Sequence, residues 1–139
     1  MKINLESVGR EAQTAFTVLS KTDSQTREMA VLAVADELET CTQSVLAANQ
    51  KDVLAAQEHG LTPALIDRLM LNQDRVGAII SDLRSLAALP DPIGTVFDER
   101  LLPSGIKIWR QRVPLGVLGV IYESRPNVTI DVAGLALKT

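Results

Sequence analysis

Aromatic side chains are scarce in this 139-residue chain: Phe16, Phe97, Trp109 and Tyr122 make up 3% of it. A surface that stacks nucleic-acid bases draws on more of them. The formal net charge is −3, so the basic footprint of a phosphate-backbone binder is missing too. No nucleic-acid partner is expected. Cysteine occurs once, at Cys41, which excludes an internal disulfide and fits a reducing, cytoplasmic setting. His59 is the only histidine. With Cys41 it cannot furnish a zinc site, and its neighbours Glu58 and Gly60 mark it as a surface residue at a helix end. No run of eighteen apolar residues exists, so no helical membrane span is expected. The first residues, Met1 to Glu6, lack the apolar core of a signal peptide.

Glycine and proline are missing over a long internal stretch. Neither occurs between Arg10 and His59, whereas 10 of the 14 lie from Pro90 onward. The first part should therefore be helical and the last part built of turns and strands. Leu5, Val8, Ala12, Ala15, Phe16 and Leu19 recur at helical spacing and predict a helix from about Asn4 to Leu19. Lys21 to Ser24 breaks it and offers a new cap. A second helix follows, apolar on all sides from Ala30 to Ala35. Polar Thr40, Thr42, Gln43 and Ser44 predict an interruption before a third helical stretch that Gly60 ends. Thr62 and Pro63 open a short helix with Leu65, Ile66, Leu69 and Met70 as its buried face. Asn72 caps a further helix striped by Val76, Ile79, Ile80, Leu83, Leu86 and Ala87, which Pro90-Asp91-Pro92 terminates.

From Gly94 the period changes. Thr95 to Leu102 and Ile106 to Val113 read as two strands of a hairpin around Pro103-Ser104-Gly105. Such a hairpin needs a sheet or another subunit beside it. Gly116 to Tyr122 is a nearly unbroken apolar run, as in a parallel strand buried on both faces. Asn127 to Lys138 fits the crossover helix after it, with Val128, Val132, Leu135 and Ala136 on one side. A strand and a crossover helix are half of a βαβ unit. The fold class is therefore α/β, and the chain is expected to be a fragment lacking the partner strand.

Residues 98–139 carry 6 basic and 4 acidic side chains, against 8 and 13 in residues 1–97. The positive balance suits an anionic small ligand, although a solvated strand face explains it as well. Parallel sheets bind ligands beyond the carboxyl ends of their strands, which points to the loop Tyr122 to Asn127. Its guanidinium (Arg125), its amide (Asn127) and the free N–H groups of a helix start suit an anion or a developing oxyanion. Arg125 has a structural alternative, an ion pair with Glu123 or Asp131, and Asn127 has one as helix cap. Gly116 and Gly119 open the strand rather than follow it, so they do not form a phosphate-binding glycine loop. Lys138, near a helix C-terminus, reads as a partner of the helix dipole.

The run Arg112-Val113-Pro114-Leu115-Gly116-Val117-Leu118-Gly119-Val120-Ile121-Tyr122-Glu123-Ser124-Arg125-Pro126-Asn127-Val128-Thr129 resembles the signature of gamma-glutamyl phosphate reductases, of the aldehyde dehydrogenase superfamily. Ala64 to Leu69 and Ala87 to Gly94 resemble that family as well. The resemblance implies an aldehyde dehydrogenase-like fold. Residues 1–93 would be the N-terminal helical part of the cofactor-binding domain. Residues 94–114 would be a hairpin arm joining subunits of a homo-oligomer, and 115–139 the first strand and helix of a Rossmann-like sheet. It implies reduction of L-glutamyl 5-phosphate by NADPH to glutamate 5-semialdehyde, through a cysteine nucleophile that has no counterpart here. Cys41 is a core or junction residue, and this chain alone is expected to be inactive. By the same resemblance Asn127 stabilises the oxyanion and Arg125 binds the acyl phosphate or the substrate carboxylate. Tyr122 and Ser124 line the nicotinamide side. A non-catalytic interaction module and an acyl-CoA-reducing aldehyde dehydrogenase fragment are the competing readings.

Overall fold

The computed structural model describes residues 4–123 and 125–139. Among these described residues, five helices and one hairpin follow in order: α1 (Leu5–Leu19), α2 (Ser24–Glu58), α3 (Pro63–Leu69), α4 (Gln73–Ala88), β1 (Val96–Leu101), β2 (Lys107–Gln111) and α5 (Pro126–Lys138). They fall into two compact units. Gln25–Leu89 and Val120–Lys138 form one, and the described part of Met1–Ser24 with Pro90–Gly119 and Thr139 forms the other.

The helical unit is built on α2 and α4. Val31, Ala35 and Leu38 of α2 meet Val76, Ile79, Ile80, Leu83 and Ala87 of α4 in one buried cluster. The α4 stripe is as its spacing predicts. Asn72 caps α4, its side-chain oxygen accepting the Arg75 N–H at 2.8 Å. On the rim, the Arg84 guanidinium donates to Asp36 (3.0 Å) and Glu39 (2.6 Å) of α2. The hydrogen bonds from Arg84 to these two carboxylates raise its pKa and hold it charged.

The predicted break in α2 does not occur: one helix of 35 residues spans the region. The hydroxyl side chains bond back to their own helix instead of opening it, and Gln43 reaches Gln73 of α4 (3.4 Å). Thr40 donates to the Asp36 carbonyl (3.0 Å), Thr42 to Leu38 (2.8 Å) and Ser44 to Cys41 (2.7 Å). The stop comes at Gly60, in the left-handed region at φ 72°. Its N–H bonds the Gln57 carbonyl and the Leu61 N–H bonds Ala56, the paired closure of a Schellman turn.

Helix α3 starts at Thr62-Pro63, but the threonine side chain makes no capping bond and no α3 residue is fully buried. Leu65 and Met70 stay exposed, so the expected buried face is only half covered at Ile66 and Leu69. Polar bonds hold the segment instead. Buried Asn49 of α2 donates to the Leu69 carbonyl (2.9 Å) and accepts from the Leu71 N–H (2.6 Å).

Helix α5 packs on α4 through a face that only partly matches the expected one, with Val128 and Val132 half-buried. Leu135 and Ala136 are exposed, while Gly134 and Lys138 are buried and Ile130 and Leu137 touch the core. A Cβ at Gly134 would lie 2.7 Å from Leu83 Cδ2 and 3.1 Å from Leu86 Cδ2. Glycine permits this approach, and a count of large apolar residues overlooks it. Lys138 does meet a helix end, but that of α4, donating to the Ala87 carbonyl at 2.7 Å.

In the other unit, Asn4 caps α1 through bonds to the Glu6 and Ser7 N–H groups. No α1 residue is buried. Strands β1 and β2 pair antiparallel, with a bulge where Phe97 to Arg100 on β1 faces Arg110 to Ile108 on β2. Asp98 sits in the bulge at φ 56°, a region that aspartate tolerates better than most residues. Gly105, at φ 84°, shapes the turn. The predicted strand from Gly116 to Tyr122 is not formed. A parallel strand takes its hydrogen bonds from neighbours, and among the described residues the only sheet is the two-stranded hairpin. Leu118 and Ile121 are accordingly exposed, Ile121 completely.

Removing either contact that seats these helices has a measurable outcome. Asn49→Ala deletes both bonds to the α3–α4 connection and is expected to cost about 2–3 kcal/mol in urea denaturation. Gly134→Val is expected to cost about 1–3 kcal/mol by overpacking. Gly134→Ala should cost less, because helix propensity returns about 1 kcal/mol.

Candidate functional site

The loop from Tyr122 into the first turn of α5 gathers the polar groups that the sequence singles out. Proline at the first position of α5 starts the helix without wasting a donor. The Arg125 carbonyl, just before it, accepts the Val128 N–H at 3.2 Å. Asn127 is therefore already inside the first turn and does not cap the helix. Its amide donates to Asp131 Oδ2 at 3.0 Å, one helical turn on. A carboxylate accepts only, which fixes which end of the Asn127 amide faces it. The second N–H of that amide remains available to a ligand.

Tyr122 is half exposed and its hydroxyl shares a 2.6 Å hydrogen bond with the Thr129 hydroxyl. Glu123 pairs with Arg68 of α3, Nη1 to Oε2, at 3.2 Å. The two carboxylates considered as partners for Arg125 are thus engaged elsewhere. Arg125 is exposed and makes no ion pair among the described residues. Ser124 lies outside the described residues. Three side-chain bonds consequently restrain the loop and leave one guanidinium uncompensated, an arrangement that suits a small anion.

Spacing along the chain places Thr129 and Asp131 on the helix after the loop, within reach of Tyr122 and Asn127. Arg68 is 55 residues from Glu123, and no local pattern announces the pair. Cys41 is half-buried in α2 with its Sγ 3.8 Å from the Leu38 carbonyl. That contact, to a carbonyl of its own helix, is packing. His59 is exposed at the end of α2, its Nδ1 2.6 Å from the Ala55 carbonyl. No cluster of three or more His, Cys, Asp or Glu able to hold a metal occurs among the described residues. A shallow groove between α2 and α4 includes Glu39, Thr42, Gln73, Arg84 and Ser85. Its one cation, Arg84, is already shared by two carboxylates, so the groove offers no free charge. No helix among the described residues is long and apolar enough to cross a membrane.

No family model matches the chain. Curated relatives do. It is 50% identical over 137 residues to the gamma-glutamyl phosphate reductase of Photobacterium profundum, covering 99% of this chain and 33% of the relative. It is 47% identical over 136 residues to that of Chloroflexus aurantiacus, covering 98% and 32%. Among solved structures, the gamma-glutamyl phosphate reductase of Thermotoga maritima superposes with a TM-score of 0.91 at 37% identity, over 98% of this chain and 33% of that one. The Saccharomyces cerevisiae structure of the same name gives 0.92 at 29%, over 99% and 35%. The chain spans about a third of the length of these relatives. Across that third, its sequence and its fold are similar to those of gamma-glutamyl phosphate reductases.

Proposed function

We propose that this chain serves an NADPH-dependent, cytoplasmic reductase that converts L-glutamyl 5-phosphate to L-glutamate 5-semialdehyde and phosphate in proline biosynthesis. The observation that carries the reading is the restrained loop at the start of α5, whose Arg125 is left without a counter-ion among the described residues. An acyl phosphate brings such an anion, and a guanidinium binds it through paired hydrogen bonds.

Each loop residue then has a part. Arg125 holds the phosphoryl group or the substrate carboxylate. The free N–H of Asn127 donates to the carbonyl oxygen as it gains charge, while Asp131 keeps the amide oriented. The nicotinamide cofactor supplies hydride when bound. The half-exposed Tyr122 ring, tethered by its hydroxyl to Thr129, fits a flat ring against its face, and Ser124 is assigned to the same side. The nucleophile implied by the family resemblance is a cysteine thiolate. Cys41, packed inside the α2 surface, does not supply it, so this chain by itself is proposed to be inactive.

The domain reading extends this proposal. Residues 115–139 would be the first strand and helix of a Rossmann-like cofactor sheet, and residues 1–93 its helical part. Residues 94–114 would form an arm that pairs with another copy. Both edges of the hairpin lack a strand neighbour among the described residues, and an unpaired edge is a template for one.

In the complete polypeptide that carries this chain, Arg125→Ala is expected to lower kcat/KM for glutamyl phosphate about a hundredfold. Unchanged kinetics would remove Arg125 from the site. Asn127→Ala is expected to lower kcat by about two to three orders of magnitude. Fluorescence titration of NADPH into the 139-residue chain alone should show no saturable binding.

A further inference from the structure

We infer that Arg68 is a positioning residue for the anion site: it tethers and neutralises Glu123, so that Arg125 alone sets the charge of the loop. The inference rests on the proposed reading of Arg125 and adds a residue from a distant part of the sequence.

The argument starts with the adjacent carboxylate. Arg68 follows Asp67 in α3, yet Asp67 is already taken. Arg75 of α4 donates to Asp67 Oδ1 at 2.7 Å, to the Asp67 carbonyl and to the Met70 carbonyl at 2.8 Å. Asn49 grips the Leu69 carbonyl and the Leu71 N–H from the other side. Although seven residues long and half exposed, α3 is therefore anchored by two neighbouring helices. That anchored segment presents Arg68 to Glu123 at 3.2 Å.

Charge explains why this pairing affects the loop's chemistry. Glu123 stands two residues before Arg125, and without Arg68 its carboxylate would compete with an incoming anion for that guanidinium. Its repulsion of a phosphate would act at the same place. Both side chains of the pair are partly exposed, at 48% and 69%, so water and salt weaken the effect without abolishing it. A modest, salt-sensitive influence on anion affinity follows, with little influence on the chemical step.

The test is a charge swap with two readouts. Inorganic phosphate is titrated into the 139-residue chain and followed by NMR at the Arg125 Nε–H. Arg68→Glu is expected to raise the phosphate Kd about tenfold, and Arg68→Gln about threefold. The double variant Arg68→Glu/Glu123→Arg should restore Kd to within about threefold of the wild type. In the complete polypeptide, KM for glutamyl phosphate should follow the same order with kcat within about twofold. A Kd that is unchanged in Arg68→Glu overturns the inference. So does a Kd that stays raised in the swapped pair, or a wild-type chain with no saturable phosphate shift. Loss of thermal stability in Arg68→Gln with unchanged Kd would reduce Arg68 to a structural role. If no reduction of glutamyl phosphate is found, the proposed activity falls, while the phosphate titration still decides the role of Arg68.

Discussion

The seat of α5 on α4 fixes the helix whose first turns carry Asn127, Thr129 and Asp131. Gly134 lets the two helices approach until Leu83 and Leu86 fill the space a side chain would need. One turn later, Lys138 is 3% exposed, and its ammonium meets the Ala87 carbonyl at the end of α4. Burying a charge is costly unless a partner satisfies it. The negative end of a helix, with carbonyls that lack intrahelical donors, is such a partner. The apolar contact sets the distance and the ammonium sets the position along the axis. A helix is stiff, so fixing its buried face also fixes its N-terminus, where Pro126 and Asn127 begin the site.

Local patterns were legible wherever the cause lies within a turn or two. The stripe of α4, the Asn72 cap, the Gly60 stop and the Gly105 turn each depend on near neighbours, and each is found where the spacing places it. Helix α2 shows the limit of that reasoning. Polar residues near Thr42 look like a break until their hydroxyls are seen to satisfy carbonyls of the same helix. The buried face of α5 is only half legible for a related reason. Periodicity counts large apolar side chains, but here a glycine and a lysine make the closest approach. Nor does any periodicity reveal Asn49 as the clip of α3, because its partners lie 20 and 22 residues away.

The site divides in the same way. That the loop after the apolar run would carry Tyr122, Arg125 and Asn127 follows from the order of elements and from the family resemblance. Which partner each residue takes depends on where α3 and α5 come to rest. Asn127 does not cap α5, because proline claims the first helical position and places Asn127 inside the first turn. Its amide then falls one turn from Asp131. Glu123 is drawn to Arg68 rather than to nearby Arg125, a choice visible only once Asp67 is found bound to Arg75.

The apolar surface left open has a consistent character. In the hairpin, Val96, Phe97, Leu101 and Trp109 are exposed, and from Val113 to Tyr122 most apolar side chains face solvent. The hairpin is also guarded against indiscriminate pairing. The bulge at Asp98 twists β1, and ion pairs from Glu99 to Lys107 (2.7 Å) and from Asp98 to Arg110 (3.4 Å) place charge across the strands. The stretch from Gly116 to Tyr122 has no such guard, since it carries no charged side chain before Glu123. An unguarded apolar ribbon suits burial between neighbours, whereas a charged, twisted one suits selective pairing at an edge. The two segments therefore differ in charge as well as in backbone form.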